Sequence, residues 1–224
     1  MIYFSIMGDS TSSLVGTVPQ GYRVYYDYER MQENAMRYIS DAWWAKVISY
    51  FKGRLCVNNA YGGSCVAGRH SFSGNSVKRT ELLHNGNIAP DVVLVYMGFK
   101  DFGRGVPIKG RNFLWKNPIY FEDAYALMLK RIQENYDPVR IICGTLARTY
   151  VAQKTVWQFP EAFKGNPLED YNDSIRFIAQ KYKCEIADLS AQKVCFETLD
   201  GVHPTLIGHE ELARGWIDCL SGML

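Results

Sequence analysis

The chain has 224 residues, of which 47% are hydrophobic and 21% charged, a balance typical of a globular protein with a sizeable buried core. The formal net charge is only +2 and no basic block occurs, so nucleic acid is not an expected partner. No apolar run approaches the ~20 residues of a membrane-spanning helix, and the first residues lack the pattern of a signal peptide. These observations predict a cytoplasmic protein without membrane association, folded as a single domain over residues 1–224.

The sequence contains six cysteines but no C-x-x-C pair, and several of them lie in apolar surroundings. This usage is typical of reduced, buried thiols and argues against both disulfides and a zinc site. We therefore expect no metal in this protein. The cysteines are Cys56, Cys65, Cys143, Cys184, Cys195 and Cys219.

The first predicted element is a short strand at Ile2–Met7, an apolar run rich in β-forming residues. Gly8 ends this run, and Ser10 follows two residues later. Open α/β sheets bind their ligands at the carboxyl ends of their strands, so Ser10 lies where a functional residue is expected. The alternative is that Asp9 and Ser10 are ordinary turn residues, because glycine, aspartate and serine all favour turns.

The connection after Ser10 is long and includes a tyrosine-rich stretch at residues 22–28, which is typical of a functional loop or a covering flap. A helix is expected to begin near Ser40 or Asp41 and to end before Gly53. The apolar side chains of this helix recur at helical spacing, so we interpret its aromatic stripe as part of the core.

Two further strands are predicted before residue 100. The first is Leu55–Val57, and the adjacent Gly62 and Gly63 that follow it would allow the backbone to approach a ligand closely. A plain tight turn is the alternative interpretation of these glycines. After a short helix within residues 75–84, Asp91–Met97 is the clearest strand, because its near-continuous apolar run suits a central parallel strand covered on both faces.

The rest of the chain continues the alternation of helices and strands. We expect a loop after residue 97, then helices at 122–135, 168–182 and 205–220, strands at 139–146 and 184–189, and a loop at 147–167. Five strands alternating with helices predict an α/β fold with a parallel sheet and helices on both faces. Several aromatic residues of the predicted loops could line an acyl or sugar site or pack on one another; they are Phe99, Phe102, Trp115, Trp157 and Phe159.

A carboxylate and an imidazole stand three residues apart near the end of the chain, as Asp200-x-x-His203. In a tight turn the carboxylate can reach Nδ1 of the imidazole, which fixes the tautomer and leaves Nε2 free as a base. A serine requires such a base to become a nucleophile, and Ser10 is a candidate partner. The alternative is a turn that enters a helix, with Asp200 as its cap.

These segments together resemble the sequence blocks of the SGNH/GDSL hydrolases. Four blocks occur in the family's order: Gly8-Asp9-Ser10, Asn58 with Gly63, Gly98-x-x-Asp101 and Asp200-x-x-His203. The resemblance implies a three-layer α/β/α sandwich with a flavodoxin-like five-stranded parallel sheet. It also implies a cofactor-independent esterase, lipase, thioesterase or carbohydrate deacetylase.

By the same resemblance, Ser10 is the nucleophile, His203 is the general base and acid, and Asp200 orients His203. The backbone N–H groups of Ser10 and Gly63 would supply two donors of an oxyanion hole.

The third donor of the family is an asparagine side chain, and this sequence has Lys100 at that position, within Gly98-Phe99-Lys100-Asp101. An ammonium group could replace the amide, since it carries three donors and a full positive charge. The alternative is a lysine that points to solvent or pairs with Asp101.

The sequence therefore predicts a metal-independent serine ester hydrolase that acts through an acyl-enzyme. The expected substrate is a small-molecule ester of a short acyl group, with O-acetyl groups on carbohydrates as one candidate. Two alternatives remain open: a catalytically weakened protein that binds a carbohydrate or acyl ligand, and an acyltransferase that uses the same nucleophile.

Overall fold

A computed structural model describes residues 1–109, 117–156 and 158–224. The strands in these ranges are β1 (Tyr3–Gly8), β2 (Arg54–Ala60), β3 (Val92–Tyr96), β4 (Arg140–Gly144), β5 (Arg148–Val151), β6 (Ala162–Phe163), β7 (Asn166–Pro167), β8 (Glu185–Ala187) and β9 (Cys195–Thr198). The helices are α1 (Tyr28–Glu33), α2 (Trp43–Tyr50), α3 (Val77–Glu81), α4 (Phe99–Arg104), α5 (Phe121–Asn135), α6 (Leu168–Lys181) and α7 (Leu206–Leu220), with a short 3-10 helix at Ile39–Asp41.

Five strands form a parallel sheet in the order β2-β1-β3-β4-β8, which confirms the predicted α/β fold. Strand β1 lies between β2 and β3, and its last residue, Gly8, pairs with Ala60 on one side and Tyr96 on the other. The carboxyl ends of these three strands therefore meet at one edge of the sheet. Ser10, two residues after the end of β1, therefore lies at the position where such sheets bind ligands.

Helices cover both faces of the sheet. Helix α2 packs on α7, with Trp43 stacked on Trp216 at a centroid distance of 5.1 Å, while α5 packs on α3 and α6. One face of α5 is fully buried, including Met128 and Ile132, and every side chain of β3 is buried. Burial of this apolar surface is the main favourable contribution to folding. No helix in the described ranges is long and apolar enough to cross a membrane.

Strand β2 extends three residues beyond the predicted Leu55–Val57 and includes Asn58 and Asn59. Both asparagines are fully buried, and their Nδ2 groups are satisfied: Asn58 Nδ2 donates to the Ser12 carbonyl at 3.0 Å, and Asn59 Nδ2 donates to the Arg79 carbonyl at 3.0 Å. The prediction was too short because polar side chains are rare in a fully buried strand.

The segment after β3 is a helix, not the predicted loop. Gly98 precedes α4 with φ of +139°, a conformation that glycine adopts readily, and Gly105 ends the helix in the left-handed region. Lys100 and Asp101 therefore lie in the first turn of α4. A six-residue helix between two glycines carries too short a pattern to be recognised by periodicity.

The predicted loop at 147–167 contains β5, β6 and β7. Strand β5 pairs in parallel with β9, from Arg148 opposite Cys195 to Val151 opposite Thr198, and β6 and β7 form a small hairpin. The pairing of β5 with β9 joins segments almost fifty residues apart, so no local pattern announces it. It supports the segment that carries Asp200 and His203.

Candidate active site

Ser10 lies in the turn that follows β1, and Asp9 holds this turn in place. The Asp9 side chain is buried, and its Oδ1 accepts hydrogen bonds from the Thr11 backbone N–H at 3.0 Å and the Thr11 hydroxyl at 2.9 Å. Burial raises the pKa of Asp9, while the bonds from Thr11 and the nearby Arg79 partly offset this effect. Asp9 thus fixes the backbone beside the candidate nucleophile and does not itself line the cavity.

A fully buried arginine, Arg79, joins the ends of β1 and β2 beneath this turn. Its guanidinium donates to the Gly8 carbonyl at 2.7 Å, to Asn59 Oδ1 at 2.6 Å and to Ser64 Oγ at 3.2 Å. Burial lowers the pKa of Arg79 to about 10, so the group remains charged at neutral pH. Sequence reasoning missed this residue, because an arginine in a short predicted helix is normally exposed.

The structure brings Ser10, His203 and Asp200 into one hydrogen-bonded chain. Ser10 Oγ lies 2.9 Å from His203 Nε2, and His203 Nδ1 lies 2.6 Å from Asp200 Oδ2. A negative carboxylate favours the tautomer with a proton on Nδ1, which leaves Nε2 as the acceptor of the serine proton. This geometry is that of a nucleophile, a base and a group that orients the base.

Asp200 is held as a carboxylate. Its Oδ1 accepts hydrogen bonds from the backbone N–H groups of Val202 at 2.9 Å and His203 at 2.8 Å. Partial burial opposes ionisation, but the hydrogen bond and charge of His203 and these two N–H groups together lower the pKa of Asp200 well below its ordinary value. The carboxylate is therefore available to stabilise a protonated His203.

Distant residues set the position of the turn that contains Asp200 and His203. Gly201 has φ of +89°, its N–H donates to Thr198 Oγ1 at 3.0 Å, and its carbonyl accepts from the Thr149 hydroxyl at 2.7 Å. Thr198 ends β9 and Thr149 belongs to β5. The pairing of these two strands consequently decides where the imidazole lies relative to Ser10.

Tyr25 contacts two members of the candidate triad, Asp200 and His203. Its hydroxyl donates to Asp200 Oδ2 at 3.0 Å, and its ring stacks on the His203 imidazole with a centroid distance of 3.3 Å and an angle of 9°. The Arg30 guanidinium lies 4.5 Å from the centre of the same ring. Burial and the charge of Asp200 raise the pKa of Tyr25, which keeps the phenol protonated as a donor. The tyrosine-rich stretch was noticed in the sequence, but nothing there distinguished Tyr25 from its neighbours.

A cavity of about 250 Å³ opens beside Ser10 and His203, and Gly63 and Lys100 line it as well. Gly63 has φ of +82°, a conformation that disfavours other residues. Within the described part of the chain, the backbone N–H groups of Ser10 and Gly63 donate no hydrogen bond to another residue. Two unpartnered N–H groups beside a serine hydroxyl could stabilise a negatively charged oxygen.

Lys100 is exposed at this cavity, and the ion pairs among the described residues do not include one between Lys100 and Asp101. The buried Asp101 carboxyl instead accepts hydrogen bonds from the N–H groups of Val66 at 2.8 Å and Ala67 at 2.9 Å. Burial raises the pKa of Asp101 to about 7, although these two bonds lower it in part. Asp101 thereby anchors the loop that follows Gly63, a role that the sequence motif alone did not indicate.

Phe99, Phe102 and Phe159, the described members of the predicted loop aromatics, do not line this cavity. Phe99 packs edge-on against Tyr96, and Phe102 stacks on Phe159 at a centroid distance of 6.1 Å, so they contribute to the core and to a local cluster. Trp115 and Trp157, the other two aromatics of this predicted set, lie outside the described residues.

Comparisons with known proteins support the same fold and family. A family model described as GDSL-like lipase/acylhydrolase matches residues 2–154, a range that includes Ser10, Gly63 and Lys100 but ends before Asp200 and His203. A search among curated proteins found no match.

Several solved structures share the fold over essentially the whole chain. Candidate GDSL-like lipases from Bacteroides ovatus and Bacteroides uniformis are each 22% identical, with TM-scores of 0.75 and 0.72; they cover 100% of this chain, and 99% and 97% of their own chains. A carbohydrate acetylesterase family member from Sinorhizobium meliloti is 15% identical with a TM-score of 0.63, covering 100% of this chain and 99% of its own. Likeness at these identities establishes the fold alone. Because the family model spans more than half of the chain, the protein belongs to the GDSL-like lipase/acylhydrolase family.

Proposed function

We propose that the protein is a serine ester hydrolase that cleaves short acyl esters through an acyl-enzyme. The observation that carries this proposal is the 2.9 Å contact between Ser10 Oγ and His203 Nε2, beside the backbone N–H groups of Ser10 and Gly63, which have no partner among the described residues. A hydroxyl with a base in reach and an adjacent site for a negative oxygen has the parts that acyl transfer requires. We extend the proposal to one catalytic domain over residues 1–224 that acts in the cytoplasm; the six free thiols are compatible with a reducing compartment.

The proposed reaction has two halves. Ser10 Oγ attacks the ester carbonyl carbon while His203 Nε2 takes the hydroxyl proton, and Asp200 stabilises the imidazolium that forms. The tetrahedral intermediate collapses as His203 gives this proton to the departing alcohol, which leaves the acyl group on Ser10. A water molecule then attacks the acyl-enzyme while His203 takes one of its protons, and His203 returns this proton to Ser10 Oγ as the bond to the acyl group breaks and the free acid leaves.

The oxygen of the tetrahedral intermediate carries a negative charge. The N–H groups of Ser10 and Gly63 would donate to it, and we assign the third donor to the Lys100 ammonium, in place of the family's asparagine. A cation at this point stabilises the transition state more than the neutral ester, which raises kcat.

The size of the cavity favours a small acyl group. Its volume of about 250 Å³ is below the roughly 300–1,000 Å³ typical of sites for drug-sized ligands. An acetyl group is therefore our candidate acyl group. The likeness to a carbohydrate acetylesterase family member motivates O-acetylated carbohydrates as the first substrates to examine.

Turnover of p-nitrophenyl acetate by the purified protein, compared with Ser10→Ala, tests the proposal. We expect activity that Ser10→Ala abolishes and that the matched control Ser49→Ala, a change at an exposed serine of α2, retains. A fluorophosphonate should add its mass to Ser10 alone. Release of acetate with no acyl transfer to an added alcohol would separate hydrolysis from acyltransferase activity. Absence of turnover on every acetyl ester, with no labelling of Ser10, would contradict the proposal.

A further inference from the structure

Four cationic side chains surround the cavity beside Ser10. Arg23, Arg30, Lys100 and Arg104 line it, and all four are exposed. The chain as a whole has 25 basic and 23 acidic residues, so its net charge of +2 does not account for this local excess of positive charge. Four like charges around one small cavity create a positive potential there, and this potential would attract an anion.

The described residues do not supply that partner. None of the four cations forms an ion pair within residues 1–109, 117–156 and 158–224. Among the described residues, no carboxylate lines the cavity, and the Asp200 carboxylate is bonded to His203 and Tyr25. Asp9 and Asp101 are fully buried, and burial raises the pKa of each.

Lys100 and Arg104 are also like charges at positions i and i+4 of α4, where they repel each other across one face of the helix. Such a pair destabilises an isolated helix when no counter-charge is present. An anion bound between the two side chains would relieve this repulsion.

Arg23 and Arg104 extend the basic surface beyond the first cavity. A second cavity of about 270 Å³ adjoins the first, and both are lined by these two arginines and by Gly62 and Gly63. The Arg23 backbone is tied to this wall, because its carbonyl accepts a hydrogen bond from the Gly62 N–H at 2.7 Å. The two arginines thus lie where a substrate attached to Ser10 would continue along the cleft.

We infer that the substrate is an acyl ester that carries an anionic group, a carboxylate or a phosphate, which Arg23 and Arg104 bind beside the reacting carbonyl. The inference rests on the proposed ester hydrolysis and defines its substrate class. Arginine suits this role, since its planar guanidinium pairs with both anions through two parallel hydrogen bonds. Arg30 and Lys100 add positive potential that steers the anion toward Ser10.

Matched pairs of acetyl esters test the inference. The carboxylate pair is an O-acetylated methyl glucuronide and the corresponding O-acetylated methyl glucoside; the phosphate pair is acetylated glycerol phosphate and acetylglycerol. We expect kcat/KM to be about tenfold higher for the charged member of one pair, mainly through KM, and this preference should decrease between about 0.01 M and about 1 M salt. The pair that shows the preference identifies the anion.

Single variants locate the site. Arg23→Gln and Arg104→Gln should each lower the ratio of charged to neutral kcat/KM by roughly three- to tenfold, and the double variant should remove the preference. Arg54→Gln is the matched control, because Arg54 is exposed at the start of β2, at the opposite edge of the sheet, and loses the same charge. The control should keep the wild-type ratio.

Equal kcat/KM within both pairs, or a ratio unchanged in the double variant, would overturn the inference while leaving ester hydrolysis intact. If the wild type hydrolyses no ester, the proposed function fails. Calorimetric measurement of anion binding to Ser10→Ala would then still show whether the anion site exists. Binding of methyl glucuronide or inorganic phosphate that Arg23→Gln weakens supports the site. No binding of either anion overturns it.

Discussion

Removal of the Tyr25 hydroxyl tests whether this residue positions the candidate triad. Tyr25→Phe keeps the ring that stacks on His203 but deletes the 3.0 Å hydrogen bond to Asp200 Oδ2. A hydrogen bond to a charged group contributes about 1.5–3 kcal/mol. The loss here should be smaller, because Asp200 keeps its bonds to the Val202 N–H and to the His203 backbone and ring, and its side chain is 43% exposed to water.

We therefore expect Tyr25→Phe to raise the activation free energy by about 1 kcal/mol, which corresponds to roughly a fivefold lower kcat/KM. The loss should appear in kcat, since the hydroxyl acts on the base and not on the substrate. Tyr25→Ala also deletes the stacked ring and should lose more, by about a further 0.5–1.5 kcal/mol.

The assay is steady-state hydrolysis of p-nitrophenyl acetate, with thermal melts to show that each variant is folded. Tyr28→Phe is the matched control, because Tyr28 belongs to the same stretch and its side chain is 78% exposed. Wild-type kcat in Tyr25→Phe, or a change confined to KM, would refute the positioning role.

Four further predictions follow from the site and the core. Ser10→Ala and His203→Ala should each abolish most esterase activity, and the double variant should lose little more than either, because the residues act as a unit; additive losses would contradict the triad. Lys100→Ala should lower kcat by roughly 10- to 100-fold, less than the roughly 100- to 1,000-fold typical of an oxyanion donor, because Lys100 is exposed to solvent. Lys100→Asn should recover part of this loss, and an unchanged kcat in Lys100→Ala would make the lysine a bystander. Burial raises the pKa of Asp101 to about 7, so the folded protein binds this proton more tightly than the unfolded chain does. The stabilisation from this protonated carboxyl is complete below about pH 4 and is lost as the pH rises through about 7. Thermal melts of Asp101→Asn should lack this loss of stability with rising pH. Alkylation under denaturing, non-reducing conditions should label six thiols by intact mass, and a smaller number would indicate a disulfide.

The local sequence pattern predicted those strands and helices whose burial can be inferred from their own residues. The apolar run before Gly8 predicted β1, and the run at residues 91–97 predicted β3, because a strand covered on both faces requires apolar side chains throughout. Helix α5 was recognisable from helical periodicity alone. The parallel direction of the strands could then be inferred from the alternation of strands and helices along the chain.

The candidate chemical groups were also visible in the sequence. Asp200 and His203 are three residues apart in one turn, so their contact is local, and Ser10 follows a predicted strand. Their meeting is not local: 193 residues separate His203 from Ser10, and the 2.9 Å contact exists because β9 pairs with β5 and carries the turn to the end of β1.

Tertiary structure alone decided the surroundings of the site. It selected Tyr25 from a stretch of similar tyrosines, buried Arg79 beneath Gly8, and gathered Arg23 and Arg104 from separate segments around one cleft. Periodicity reports how a residue relates to its own strand or helix, whereas these contacts depend on which distant segments the packed sheet and helices bring together.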